Sequence, residues 1–249
     1  MNARTLRRAC RAEWTKLRTE TGVRWLVVAL VVVTVAVGAA TSSTVRPPVG
    51  DPARTALGGV AAGQAVAAVL GVLSAGGEYG TRMIQLTLAA VPDRSAVLAA
   101  KAAVLSVVVA AAGTVAVAGS LAAGKVLLPG APALTDGPAL RAGFGSVLYL
   151  VLVALLALGV TLAVRDSAVA SGAALTLLYL FPLLSKVVAD PWVQRQLARV
   201  GPMPAGLAVQ ATTDLSRLPL GPWAGLGVLT LWAAAAVLVG GAVLRRRDV

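Results

Sequence analysis

The sequence predicts an all-α integral membrane fold of about six transmembrane helices, with N- and C-termini cytoplasmic and an amphipathic N-terminal interfacial helix. Three observations carry that prediction. Of 249 residues 58% are hydrophobic and 13% charged, with a mean hydropathy of +0.84, and a soluble domain of this length has too little interior to hide so much apolar surface. Uncharged blocks recur at lengths that cross about 30 Å of hydrocarbon, which takes roughly 17 to 25 residues. The remaining charges, 22 Lys and Arg against 10 Asp and Glu, gather mainly at the ends of those blocks, where cations set orientation and meet anionic lipid head groups. That placement also argues against nucleic acid as the reason for the net charge of +12. Short polar gaps join the blocks, so residues 1–249 read as a single transmembrane domain.

Taken in order, residues 1–22 form the first element. Leu6, Cys10, Trp14 and Leu17 follow at steps of four, four and three and share one helical face, while Arg7, Arg8, Arg11 and Arg18 point elsewhere. This is an interfacial helix, read either as a topology anchor or as a surface that also meets a cytoplasmic partner. Six spans follow: Val23 to Ala40, with Arg24 able to snorkel, Leu57 to Ala75, Ala102 to Ala123, Ala142 to Val164, Ser167 to Ser185 and Trp223 to Leu244. The first has some marks of a signal peptide, with Arg4, Arg7, Arg8 and Arg11 before it and small residues from Gly38 to Ala40, but its leader and its apolar run are long for one. Only Arg165 and Asp166 divide the fourth block from the fifth, a pair of charges suited to a tight interfacial turn and so to a helical hairpin.

Two connections are long. In residues 78–95 Thr81 is placed to cap a short helix that Pro92 ends, with Met83, Leu86 and Ala90 on one face; the segment reads equally as a helix that docks into another protein and as a solvated loop. Residues 186–222 contain Trp192, Val193, Gln196, Leu197 and Val200, the pattern of one short surface helix, broken by Gly201-Pro202-Met203-Pro204. This external loop either caps a pathway or merely joins two spans. With the N-terminus inside, 14 cations fall inside (Arg4, Arg7, Arg8, Arg11, Lys16, Arg18, Arg24, Arg82, Arg94, Lys101, Arg165, Arg245, Arg246, Arg247) and 8 outside (Arg46, Arg54, Lys125, Arg141, Lys186, Arg195, Arg199, Arg217), which sets both termini in the cytoplasm.

Several chemistries are disfavoured. The chain has no histidine, the commonest general base and metal ligand, and its single cysteine, Cys10, supports neither a disulfide framework nor a thiolate cluster. No catalytic, cofactor-binding or metal residues are assigned. Gly119 to Lys125 spells GxxxxGK but is followed by Val126, where a nucleotide loop needs a Ser or Thr hydroxyl, and it ends a span rather than linking strand to helix. No Asp or Glu falls inside the six blocks, unlike ion-coupled carriers, and Lys101 lies near the start of the third, placed to snorkel. Gln64 is the lone amide of the second block, expected to make an interhelical hydrogen bond. Gly59 with Gly63, and Gly221 with Gly225, are GxxxG pairs that permit close helix approach, within the chain or between two copies.

Two stretches resemble the permease subunits of type 2 ABC exporters, in the short, separately encoded form of actinobacterial type. One is Glu13-Trp14-Thr15-Lys16-Leu17-Arg18-Thr19; the other is Glu78-Tyr79-Gly80-Thr81-Arg82 with Leu86, Leu88, Pro92, Arg94 and Lys101. The six-span layout extends the likeness over nearly the whole chain, although Asp93 interrupts what is often a more basic stretch. The resemblance implies a multi-pass subunit of the inner (plasma) membrane that pairs with a second permease copy and with two cytoplasmic ABC ATPase subunits, which bind the ATP and magnesium. It also implies that residues 78–95 are the coupling segment, with Glu78, Tyr79, Thr81 and Arg82 at its core and Pro92, Arg94 and Lys101 guiding its return to the membrane. Trp14, Lys16, Leu17 and Arg18 then belong to the N-terminal helix that transmits motion.

Overall fold

The computed structural model describes residues 3–45, 50–80, 83, 93–128 and 136–246. These are helices and short connections, with no strand among the described residues. Six helices are long and apolar enough to cross a membrane, so the chain is a multi-pass helical membrane protein.

Helix α1 (Ala3–Thr19) precedes span one, α2 (Thr21–Thr44). Span two is built from α3 (Pro52–Ala56), a 3₁₀ turn (Leu57–Gly59) and α4 (Val60–Gly80). Spans three, four and five are α5 (Arg94–Leu127), α6 (Gly137–Val164) and α7 (Ser167–Val187). Two short helices follow, α8 (Pro191–Val200) and α9 (Pro202–Leu207), before span six, α10 (Pro222–Arg246). Every predicted span is present, and most are longer than the uncharged block that announced them. The extra turns hold charged or small polar residues at the ends, which hydropathy alone assigns to loops.

Aspartates start several of these helices because a carboxylate oxygen satisfies the first free amides and opposes the positive end of the dipole. Asp51 accepts from Arg54 N, Asp93 from Ser95 N and Ala96 N, Asp166 from Val169 N, and Asp190 from Trp192 N and Val193 N. The hairpin between spans four and five closes in two residues, with Arg165 in the left-handed region at φ 66° and Asp166 capping the next helix.

Spans two and four are the most buried and form the centre of the bundle. Span four packs against spans two and six, and span one against spans two and three. Without a hydrophobic force between helices in lipid, close approach depends on small residues, and the glycines supply it. A methyl on Gly59 or Gly63 would strike Thr34 of span one, and one on Gly159 would enter the span-six backbone at Ala236 and Val237. Gly225 lies against the Ala205 carbonyl of α9, whereas Gly221 faces open space. Gly59, Gly63 and Gly225 therefore serve packing within the chain. Gly124 of the GxxxxGK string lies in the last turn of span three, against Ala56.

Candidate functional site

Six spans alternate, so one face of the bundle carries α1, the start of span three and the end of span six. The other carries residues 50–51 and the long connection before span six. The polar chemistry of the first face converges on Lys101, which is 2% exposed one to two turns into span three. Its ammonium donates to both oxygens of Glu13 (2.9 and 3.1 Å), to Glu78 Oε1 (2.8 Å) and to the Ser74 carbonyl (3.3 Å). Lys16 Nζ completes the cluster, donating to Glu78 Oε1 at 2.5 Å. Two carboxylates and two ammonium groups thus join α1, span two and span three, mostly out of solvent. Glu78 Oε2 and the Tyr79 hydroxyl are buried without a hydrogen-bond partner among the described residues.

Local sequence explains the convergence. Glu13 follows Ala9 by one turn and precedes Leu17 by another, and these three are the buried residues among the described side chains of α1. Small Ala9 lets the helix settle on span three, and Glu13 then meets Lys101. Trp14 remains 48% exposed, so the inward stripe is turned one position from the predicted Leu6–Cys10–Trp14–Leu17 face. The turn follows from the pull of Lys101 on Glu13, a long-range contact that periodicity within α1 does not contain.

The face is closed by two arginines bonded to the carbonyls that end span six, the terminus that favours cations. Arg94 Nη1 donates to the Leu244 and Arg245 carbonyls at 2.7 and 3.1 Å. Arg165 Nη2 donates to the Val243 carbonyl at 3.2 Å, and its guanidinium lies 5.9 Å from the Tyr79 ring centroid.

Three sequence expectations are corrected here. Lys101 does not snorkel: two carboxylates inside the bundle solvate its ammonium better than a route to the surface would. Glu78 and Tyr79 are not loop residues, since span two continues helically to Gly80. For the same reason span two does contain a carboxylate, in its final turn. Thr81, Arg82 and Pro92 lie outside the described residues, as does the short helix expected of that segment apart from Met83, which is helical. Glu13 and Ser74 were missed as members of the cluster. Glu13 opens the first of the two stretches that carry the resemblance, but neither that stretch nor its spacing gave the side chain an ionic partner.

The opposite face is also pinned. Helix α8 is surface-exposed as predicted, but the Gly201–Pro204 break starts a second helix, α9, whose Pro202, Ala205 and Gly206 are buried. Gly206 sits against the Tyr149 ring. Tyr149 donates its hydroxyl to Gln64 Oε1, and Gln64 Nε2 lies 3.0 Å from Met203 Sδ, which is the interhelical role expected of Gln64. Gln210 Nε2 donates to Ser146 Oγ and the Leu57 carbonyl at 3.2 and 3.4 Å. Asp51 then accepts from Thr212 N and Oγ1, both at 2.6 Å, and from Thr213 N at 3.2 Å. Burial raises the Asp51 carboxyl pKa, but the Thr212 hydroxyl and the Thr212, Arg54 and Thr213 amides outweigh that and hold it below its ordinary value. Asp93, on the first face, is held low by the Ser95 hydroxyl and the Ala96 amide.

Fold and site together define a class: a six-span helical membrane protein whose first helix is locked to spans two and three by a buried ionic cluster. Neither protein-family models nor curated proteins match the chain.

Proposed function

We propose that this chain is the membrane-spanning permease subunit of an ATP-driven exporter of the plasma membrane. It forms the substrate pathway with a second permease copy and takes its energy from separate cytoplasmic ABC ATPase subunits. The observation that carries the reading is the Glu13–Lys16–Glu78–Lys101 cluster. It connects α1 to the ends of spans two and three on either side of residues 81–92, so a push on that segment reaches two spans and the interfacial helix together. Tertiary motion passes through such packed and ion-paired connections when they move as one body. Arg94 and Arg165 extend the connection to span six. In this reading Glu78, Tyr79, Thr81 and Arg82 face the ATPase side, while Trp14, Lys16, Leu17 and Arg18 belong to the helix that moves with them.

The test is co-expression with the ATPase encoded beside the gene and purification through a tag on this chain. ATP hydrolysis by the complex is then measured for the native protein and for a Glu78→Ala, Arg82→Ala variant. Recovery of an active complex whose assembly or activity collapses in the variant is the expected result, with no magnesium-dependent hydrolysis by the permease alone. If no ATPase co-purifies from any plausible pairing, the exporter reading fails and a non-transporting role, as an immunity factor or assembly scaffold, replaces it.

A further inference from the structure

We propose that the groove between α1 and spans one and three binds one anionic phospholipid, its head group held by Arg18 and Arg24 and an acyl chain laid along Val27, Val28 and Val108. The groove encloses about 330 Å³. It is lined by Trp14, Leu17 and Arg18 of α1, by Val23, Arg24, Val27 and Val28 of span one and by Val108 of span three; the lining is almost wholly apolar, so the two exposed arginines contribute their stems and carry their charge at its rim.

The shape selects an amphiphile. Val28 is one helical turn beyond Arg24, about 6 Å deeper along the axis at 1.5 Å per residue, so the polar and apolar parts of the site are arranged along the membrane normal. A free anion would meet the arginines but leave the valines uncovered. A neutral hydrocarbon would fill the groove and leave the guanidinium groups without a counter-charge. Both arginines are exposed, and Arg24 gives one Nη to Thr21 Oγ1 at 3.2 Å. The nearest acid in sequence, Glu20, places its carboxylate toward Gly77 at the end of span two, away from competing for this role. Trp14 has the amphipathic ring favoured at head-group depth. Guanidinium groups pair with phosphate through parallel N–H donors, and the charge of the pair selects an anionic head group over a zwitterionic one. The site depends on local chemistry alone, so it stands whether or not the chain is a permease.

The experiment uses the full chain, purified in neutral detergent and stripped of lipid, then titrated with dioleoyl phosphatidylglycerol or dioleoyl phosphatidylcholine and followed by native mass spectrometry. The native chain is expected to retain one phosphatidylglycerol at concentrations where phosphatidylcholine is lost. Arg18→Gln with Arg24→Gln should weaken that retention about thirtyfold, equivalent to ~1 kcal/mol for each basic residue at an anionic surface. Val108→Trp occupies the groove, leaves both arginines and should also weaken it, whereas Arg7→Gln with Arg8→Gln, which lie outside the lining and meet lipid only as diffuse surface charge, should leave it within about twofold. Equal retention of the two lipids by the native chain overturns the proposal, and this arm needs no variant to fold. Retention unchanged by the double arginine variant overturns it as well, and so does retention that survives Val108→Trp. A native chain that holds no lipid but forms a dimer, with the arginine variant monomeric, assigns the groove to a second copy instead.

Discussion

Replacing Lys101 with methionine keeps the apolar stem and deletes the ammonium at the centre of the cluster. Among the described residues both hydrogen bonds to Glu13 come from Lys101, so that carboxylate loses its cation there, while Glu78 keeps Lys16. Four groups that balanced become two carboxylates and one ammonium, nearly all of it out of water: the Glu13 and Glu78 side chains are 7% and 4% exposed. Breaking a buried pair by removing one partner costs roughly 3–5 kcal/mol, because the charge left behind is neither solvated nor paired. Glu13→Gln combined with Lys101→Met leaves the Glu78–Lys16 pair balanced. The double variant should therefore be more stable than the sum of its parts by about 1–3 kcal/mol, the range for residues sharing one network. Equilibrium unfolding in mixed micelles with rising dodecyl sulfate, followed by far-ultraviolet circular dichroism, reads all four corners of the cycle. A loss below about 1 kcal/mol for Lys101→Met, the level of an exposed pair, would refute the reasoning, and so would strict additivity.

Three further outcomes follow from the packing and the far face. Gly159→Ala should cost about 1–3 kcal/mol or more in the same unfolding assay by overpacking against the Ala236–Val237 backbone, while Gly172→Ala, with open space at its Cα, should cost nothing. Tyr149→Phe leaves the buried Gln64 carbonyl without its donor and should lose about 1–3 kcal/mol, measured against Tyr179→Phe, whose hydroxyl bonds the Ala61 carbonyl in a less buried setting. Asp51 has a folded-state pKa below its ordinary 3.8, so its contribution is full above about pH 4 and disappears as the pH falls through the depressed value. Stability measured from about pH 6 downward should fall below about pH 4 in the native chain, and the part of that fall due to this carboxylate should be absent in Asp51→Asn.

The spans were legible because hydrocarbon imposes a length and a composition on each of them, and both are local properties of sequence. The Arg165–Asp166 hairpin was legible for the same reason: two adjacent charges between apolar blocks have few places to go. The aspartate caps obey an equally local rule. The cluster was only half visible. Glu78 and Lys101 were singled out through a resemblance, but their distance from water depends on α1 folding back over span three, and that rests on a tertiary pairing of residues 88 positions apart. Hydropathy set both at the margin of a span and so gave Lys101 a route to the surface. Helix α9 was hidden in another way. Gly201, Pro202 and Pro204 signal a break, which they make, but Pro202 stands at the first turn of a new helix, where its missing amide costs nothing.

The two faces are held by different chemistry, and the difference bears on what each can do. On the far face the connections of α9 and Asp51 are hydrogen bonds worth on the order of 1 kcal/mol net where both groups are neutral and about 1.5–3 kcal/mol where the Asp51 carboxylate accepts, made by a short segment between spans five and six. Such bonds can be exchanged one at a time. On the first face one ammonium serves two carboxylates and a carbonyl at once, so no member of the cluster leaves without stranding a charge in a poorly solvated place. A force applied near the end of span two is then better transmitted than absorbed: moving α1, span two and span three together preserves the ion pairs, and moving any one alone breaks them. If the chain is driven from its first face, opening belongs at the far one, where the same displacement meets only bonds that can be given up in sequence. On the proposed permease reading, cross-linking α1 to span three through Ala9→Cys and a cysteine placed opposite it should leave ATPase coupling intact, whereas locking Thr212→Cys to Asp51→Cys should stop transport while the complex still hydrolyses ATP. The reverse pattern would place the moving joint inside the ionic cluster.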